Sequence, residues 1–307
     1  MSAETQNVTD YPNINTIFQV WKFKDNTDVQ PAFQRLCALT ANLNNSLVDR
    51  FPDSRASCVM GIGFDAWKRL QLKEPLPKEL QNFLEIKGST HTAVSTPGDL
   101  HLHLRADNNS ISFDMAIEIS KVLTPVADSV VEVHGFKYWD NRSILGFVDG
   151  TENPHGKDRE FFAVIGDEDP EYKGGSYLFV QKYLHNMDAW NSLSTEAQEK
   201  VIGRSKEKDI EMTDDVKPSN SHSAVANIGD DFKIVRDNMP FGTPSTNEFG
   251  TYFISYASTF STTQKMLESM FIGNPVGNYD RILDFSTAIT GTLFFVPTKD
   301  MLDDFSG

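Results

Sequence analysis

Three side chains occupy settings in which they could do chemistry: Asp149 before a glycine, His222 in a polar loop, and Arg236 two residues before Asn238. A carboxylate can accept and return a proton, a neutral imidazole can ligate a metal, and a guanidinium can hold developing negative charge. Each also has a plainer reading. Asp149-Gly150 is a turn signal between two apolar stretches. His222, within Ser219-Asn-Ser-His-Ser223, fits an exposed loop histidine, and Arg236, within Ile234-Val-Arg-Asp-Asn-Met-Pro240, fits a strand-end cation. None decides the function alone.

Other motifs fail on spacing. Gly150 to Gly156 encloses five residues where a phosphate loop has four, and Asp158 stands where Ser or Thr would hold magnesium. A calcium loop begun at Asp167 would put Tyr172 at the position that needs glycine and Leu178 at the one that needs glutamate. His101 and His103 share one face of an expected strand, and no third metal ligand is apparent. Alternation with Leu100, Leu102 and Leu104 points to a polar outer face for the two histidines. Cys37 and Cys58 are the only cysteines and form no C-x-x-C pair, so zinc, iron–sulfur and disulfide frameworks are unsupported.

The elements that must position these groups fall into two rounds of similar grammar. Thr16–Phe23 alternates as a strand and Val29–Leu47 carries apolar residues at helical spacing. Strands are expected near Cys58–Phe64 and Asp99–Leu104, then a helix over Ser112–Leu123 and a strand over Ser129–Phe136. A break rich in Gly, Asn and Pro runs from Asn141 to Gly156. Beyond it, strands are expected at Phe161–Ile165, Ser176–Tyr183, Thr251–Tyr256 and Thr290–Val296, with helices at Met187–Ile202 and Thr262–Phe271. The repetition implies an α+β fold, a duplicated unit with antiparallel sheets, divided as 1–140 and 141–307. The long polar stretch from Arg204 to Ser221 is where chemistry should be sought.

Composition narrows the partners. The chain has 28 basic and 43 acidic residues, a net charge of −15, which repels nucleic acid and anionic membrane surfaces. The first residues show no basic segment followed by an apolar run, and no run approaches the ~18 residues that span a bilayer. A cytoplasmic location is expected.

Taken together, the chemical residues fall in a specific order. Gly146-Phe-Val-Asp-Gly-Thr-Glu-Asn-Pro154 resembles the G-x-x-D-G signature of the dye-decolorising peroxidases, and Ser221-His222, Arg236-Asp237-Asn238 and the Asp280–Pro297 tail follow as that family's later segments do. The absence of large insertions resembles the short bacterial type. The resemblance implies two ferredoxin-like halves with haem b (iron protoporphyrin IX) in the C-terminal one. It implies His222 as the iron ligand, Asp149 as the proton shuttle, Arg236 as the charge stabiliser and Asn238 as an orienting group. Asp284 is expected to hold the free ring nitrogen of His222, the alternative being a structural cap or a partner of Arg281. Arg204 is expected to face a haem propionate, the alternative being a solvated basic patch. The activity implied is reduction of hydrogen peroxide with one-electron oxidation of small organic reductants such as dyes, in a protein that can self-associate. A haem carrier or iron-releasing enzyme would need His222 and the pocket but not both Asp149 and Arg236. A haem-free binding module would need none of them.

Overall fold

In the computed structural model, which describes residues 4–307, the first half runs β1 (Asn15–Phe23), α1 (Gln30–Arg50), β2 (Ser57–Gly63), β3 (Leu100–Ala106), α2 (Asn109–Leu123) and β4 (Ala127–Phe136). This is the βαββαβ order of a ferredoxin-like unit. α1 starts with Pro31 in its first turn and buries Phe33, Leu36, Cys37 and Thr40 on one stripe. Asn108 caps α2 by accepting from the Ser110 N–H at 3.0 Å, and Ile111, Met115, Ile119 and Leu123 form its buried face.

The second half repeats the plan with more irregular connections. It runs β5 (Ser176–His185), α3 (Thr195–Ile202), α4 (His222–Ala226), β6 (Val235–Arg236), β7 (Met239–Thr243), β8 (Glu248–Ala257), α5 (Phe260–Phe271), β9 (Ser286–Ala288) and β10 (Thr292–Val296). All strand pairs in the main sheet are antiparallel, and its order is β4-β1-β3-β2-β10-β5-β8-β6. β7 also pairs with β8, and β9 with β5. The halves are therefore joined edge to edge, where Phe294 and Phe295 of β10 face Gly63 and Ile62 of β2.

The sheet curls until β4 lies against β7. A Cβ on Gly135 would fall 2.5 Å from that of Met239, so this approach requires glycine. Curling gives the sheet two buried faces. Leu100, Leu102 and Leu104 of β3 join the core beneath α1 and α2. His101, His103 and Arg105 point to the other face, among Phe18, Val59, Tyr252, Tyr256 and Phe294 contributed by both halves.

This overturns the polar outer face expected for the histidines: both are fully buried. His101 Nε2 pairs with the Tyr252 hydroxyl at 3.2 Å and His103 Nδ1 with the Tyr256 hydroxyl at 2.7 Å. Alternation reported two faces correctly, but the second face is covered by the other half of the molecule. Two further expectations fail locally. Phe161–Ile165 is no strand; a helix spans Lys157–Ala163, anchored by Arg159, which donates to the Thr9 and Asp10 carbonyls. A short apolar run does not separate helix from strand by periodicity. The helix expected over Met187–Ile202 is two helices, broken where Ser194 turns to cap α3 at the Ala197 N–H.

Burial holds these imidazoles neutral, lowering His101 to about 3, His185 to about 4, and His103 well below its ordinary value. The unfolded chain binds protons on them below about 6.5, so it gains protons over the native state as pH falls. Stability should therefore be full above that value and decline on acidification, by at most about 1.4 kcal/mol per histidine per pH unit. Denaturant titrations between pH 7 and 4 check this: a falling profile that becomes shallower in His103→Gln is expected, and a flat wild-type profile contradicts it.

Candidate active site

One cavity gathers the chemical residues, and its wall is built from segments between Ser143 and Ser286. Leu145, Phe147, Ile202, Phe253, Met266 and Met270 make much of that wall apolar. Behind it, Trp190 packs edge-on against Phe147 and Phe285 and donates its indole N–H to the Leu145 carbonyl at 2.9 Å. A small second core thus stiffens the wall.

His222 enters this cavity from the first turn of α4. Gly203, at φ +87°, ends α3 directly behind it; a Cβ there would lie 2.2 Å from Ser223 Oγ and 2.7 Å from Ser221 Oγ. Ser269 of α5 donates to the Val225 carbonyl at 2.7 Å and ties α4 to the neighbouring helix. The Arg281 N–H donates to the Asn220 carbonyl at 3.0 Å, bringing the 280–284 segment against the histidine.

The carboxylate that results is Asp280, fully buried, with Oδ2 at 2.7 Å from His222 Nδ1. Its Oδ1 accepts from the Ile282 N–H at 3.0 Å, and its own N–H donates to the Met270 carbonyl at 2.8 Å. Burial opposes protonation of His222, and Asp280 outweighs it, raising the imidazole above its ordinary value. Nε2 of His222 has no partner among the described residues. His185 also lines the cavity, but its Nδ1 meets Ser286 Oγ at 2.7 Å and its Nε2 meets Thr251 Oγ1 at 2.9 Å. Of these two histidines, His222 alone has a nitrogen to spare for a ligand.

Asp284 does not hold His222. It accepts from the Tyr279 hydroxyl at 3.0 Å and Arg281 Nε at 3.1 Å, and its Oδ1 lies 3.0 Å from His91 Nε2. The Arg281–Asp284 turn of 3-10 helix starts at Asp280 and carries Asp284 away from the histidine. Of its two alternative roles, the ion pair with Arg281 is present, and the cap of the turn is Asp280.

Asp149, Arg236 and Asn238 meet in the same cavity. Asp149 follows an isolated bridge between Arg142 and Val148, with its N–H donating to the Asn141 carbonyl at 2.9 Å and Gly150 turning at φ +84°. Asn238 Nδ2 donates to Asp149 Oδ2 at 3.0 Å, and Arg236 Nη1 stands 4.0 Å from Asp149 Oδ1. The Asn153 side chain donates to the Arg236 carbonyl and accepts from the Arg236 N–H, both at 2.8 Å. Asn153 thus acts as a missing strand partner, a role that sequence reasoning missed although Thr151-Glu-Asn-Pro154 was in view.

Arg204 lines the cavity but is already engaged. Its Nε donates to Asp209 Oδ1 at 2.8 Å and its Nη1 to Glu211 Oε2 at 3.2 Å. The solvated-patch alternative fails, because its side chain is only 15% exposed. Among the tryptophans, Trp21, Trp67 and Trp190 are core residues, while Trp139 is 75% exposed. No helix among the described residues is long and apolar enough to cross a membrane.

Known proteins are similar to this chain over most of its length. The family models for the Dyp-type peroxidase N-terminal and C-terminal regions match residues 10–137 and 140–301. The dye-decolorizing peroxidase of Rhodococcus erythropolis is 51% identical over 279 residues, covering 90% of this chain and 82% of that protein. That of Mycobacterium tuberculosis is 52% identical over 258 residues, covering 83% and 77%. A dye-decolorizing peroxidase structure from Bacteroides thetaiotaomicron superposes with a TM-score of 0.97 at 54% identity, covering 99% of each chain. The encapsulated DyP-type peroxidase of Mycobacterium smegmatis gives 0.94 at 48% identity, covering 99% of this chain and 98% of that one. A DypB variant from Rhodococcus jostii RHA1, solved in complex with heme, gives 0.90 at 46% identity and 97% coverage of each chain. This chain belongs to the Dyp-type peroxidase family, and it is a peroxidase.

Proposed function

We propose that the cavity holds haem b, with His222 Nε2 as the protein ligand to iron, and that Asp149, Arg236 and Asn238 form the hydrogen peroxide site. The observation that carries this reading is the pairing of a buried carboxylate with one nitrogen of His222, in a cavity that also holds an Asp–Asn–Arg cluster. The residues fit the group. Much of the wall is apolar, one imidazole nitrogen has no partner among the described residues, and Arg204 brings a cation. A haem propionate at Arg204 would share the guanidinium with Asp209 and Glu211. The C-terminal half, 141–307, supplies the pocket, and 1–140 braces it through the shared sheet. We place the enzyme in the cytoplasm, where its two cysteines, both buried and unpaired, stay reduced.

When bound, haem supplies the iron that reacts with peroxide and the oxidising equivalents that organic reductants remove one electron at a time. The protein's own part is orientation and proton handling. Asp280 fixes the ring of His222 and makes it a more electron-donating ligand. Asn238 occupies Asp149 Oδ2, leaving Oδ1 to take the proton of an incoming peroxide. The Arg236 guanidinium donates no hydrogen bond to another described residue, so its N–H groups can meet the negative charge that grows as the O–O bond breaks. The Asn238 side-chain oxygen Oδ1 accepts from the Ile254 N–H at 3.1 Å, which fixes the amide and hence the free oxygen of Asp149. A haem carrier has no use for this second cluster, and that alternative is not favoured.

His222→Ala should lose most of its haem on purification, and added imidazole should partly restore a histidine-like absorption spectrum. Full haem content with an unchanged spectrum in that variant would place the ligand elsewhere.

Asp149→Asn should slow the reaction of the ferric enzyme with peroxide by about a hundred- to ten-thousand-fold, the range for lost general acid–base catalysis. Arg236→Leu should slow it by about a hundred- to a thousand-fold, as the loss of one charge-stabilising donor does. Stopped-flow mixing measures both, and near-wild-type rates in the pair of variants would sink the proposed peroxide site.

A further inference from the structure

Asp237 lies between Arg236 and Asn238 but takes no part in the cavity. Its side chain turns the opposite way, into the core between the halves, where it is 1% exposed. There Oδ2 accepts from Arg105 Nη1 at 2.9 Å, and Arg105, fully buried, comes from β3 of the other half. Arg105 is itself fixed, donating from Nε to Ser57 Oγ at 3.1 Å and from Nη2 to the Asn7 carbonyl, with Asp10 Oδ2 3.6 Å away. His103 Nε2 stands 3.5 Å from Asp237 Oδ2, and Tyr256 bonds the other nitrogen of that ring.

The regular strand ladder is interrupted at this point. β6 ends at Arg236 and β7 begins at Met239, so Asp237 and Asn238 fall in a gap between two paired stretches. Across the gap the Asp237 N–H reaches the Ile254 carbonyl at 3.3 Å, and the Ile254 N–H is met by the Asn238 side chain instead of a backbone carbonyl. Where the ladder lapses, a buried ion pair to a rigid neighbouring strand can fix the chain instead.

We propose that Asp237, held by Arg105, is a positioning residue for the peroxide site: it sets the backbone from which Arg236 and Asn238 point into the cavity. Through this pair the N-terminal half, none of whose described residues lines the cavity, takes part in the reaction. The inference rests on the assignment of Arg236 and Asn238 to the peroxide site.

A bare loss of Asp237 would strand the Arg105 charge and destabilise the fold for an unrelated reason. The test therefore compares the holoenzymes of Asp237→Asn and the double variant Arg105→Met/Asp237→Leu, in which both charges are gone, with Arg236→Leu as the reference. The readouts are haem content, melting temperature, the rate with hydrogen peroxide, the KM for a dye, and the crystallographic Asn238–Asp149 separation. The double variant should melt near the wild type and keep its haem and its dye KM. Its peroxide rate should still fall by about a hundredfold, the penalty of a misplacement near 1 Å, with Asn238 displaced from Asp149. Asp237→Asn should lose rate as well, with a lower melting temperature. A double variant that recovers both stability and the wild-type peroxide rate would overturn the proposal and leave the pair as charge compensation. If Arg236→Leu itself reacts normally with peroxide, the assignment of the peroxide site fails first, and a displaced Asn238 in the double variant would then still report the anchoring.

Discussion

A carboxylate with no solvent exposure is tolerated only when it is paired, and the site depends on how Asp280 is paired. One oxygen takes the N–H that opens a 3-10 turn, and the other takes a nitrogen of His222. The first bond fixes where the carboxylate sits, and the second fixes which nitrogen of the imidazole is left over. Around that contact the chain spends several independent ties: Arg281 to Asn220, Ser269 to Val225, and Gly203 making room behind the histidine. The short helix α4 has little stability of its own at this length, so these tertiary ties hold it in place.

The second cluster in the cavity is built on the opposite strategy. Asp149, Arg236 and Asn238 sit where regular pairing gives out, on a glycine turn and in the gap between β6 and β7. Side chains stand in for strand partners there: Asn153 closes on the backbone of Arg236, Asn238 meets Ile254, and Asp237 meets Arg105. Irregular backbone frees N–H and C=O groups and side-chain directions that a ladder would consume, and the freed directions converge on the cavity.

Much of this was legible in the sequence because regular elements announce themselves by period. Strands were expected at Thr16–Phe23, Ser176–Tyr183 and Thr251–Tyr256, within the observed Asn15–Phe23, Ser176–His185 and Glu248–Ala257, and the doubled order of elements pointed to the duplication. The order of the Gly146–Pro154, His222 and Arg236–Asn238 segments carried the chemistry. What escaped depended on contacts between distant segments. Asp280 and Asp284 stand four residues apart in one short turn, and only the approach of the His222 loop decides between them. His101 and His103 alternate as an outer face should, yet the face is covered by strands more than a hundred residues away. Asp280 did carry one local signal, as a cap-forming residue at the start of a turn, and a capping aspartate is held firmly enough to orient a neighbour.

With haem in the proposed site, Asp280, and not Asp284, would set the electron donation of His222 to the iron. The iron–imidazole stretching frequency of the ferrous protein, measured by resonance Raman spectroscopy, reports that donation directly. Asp280→Asn should lower this frequency and Asp284→Asn should leave it at the wild-type value; a lowered frequency in Asp284→Asn with none in Asp280→Asn would contradict the role of Asp280.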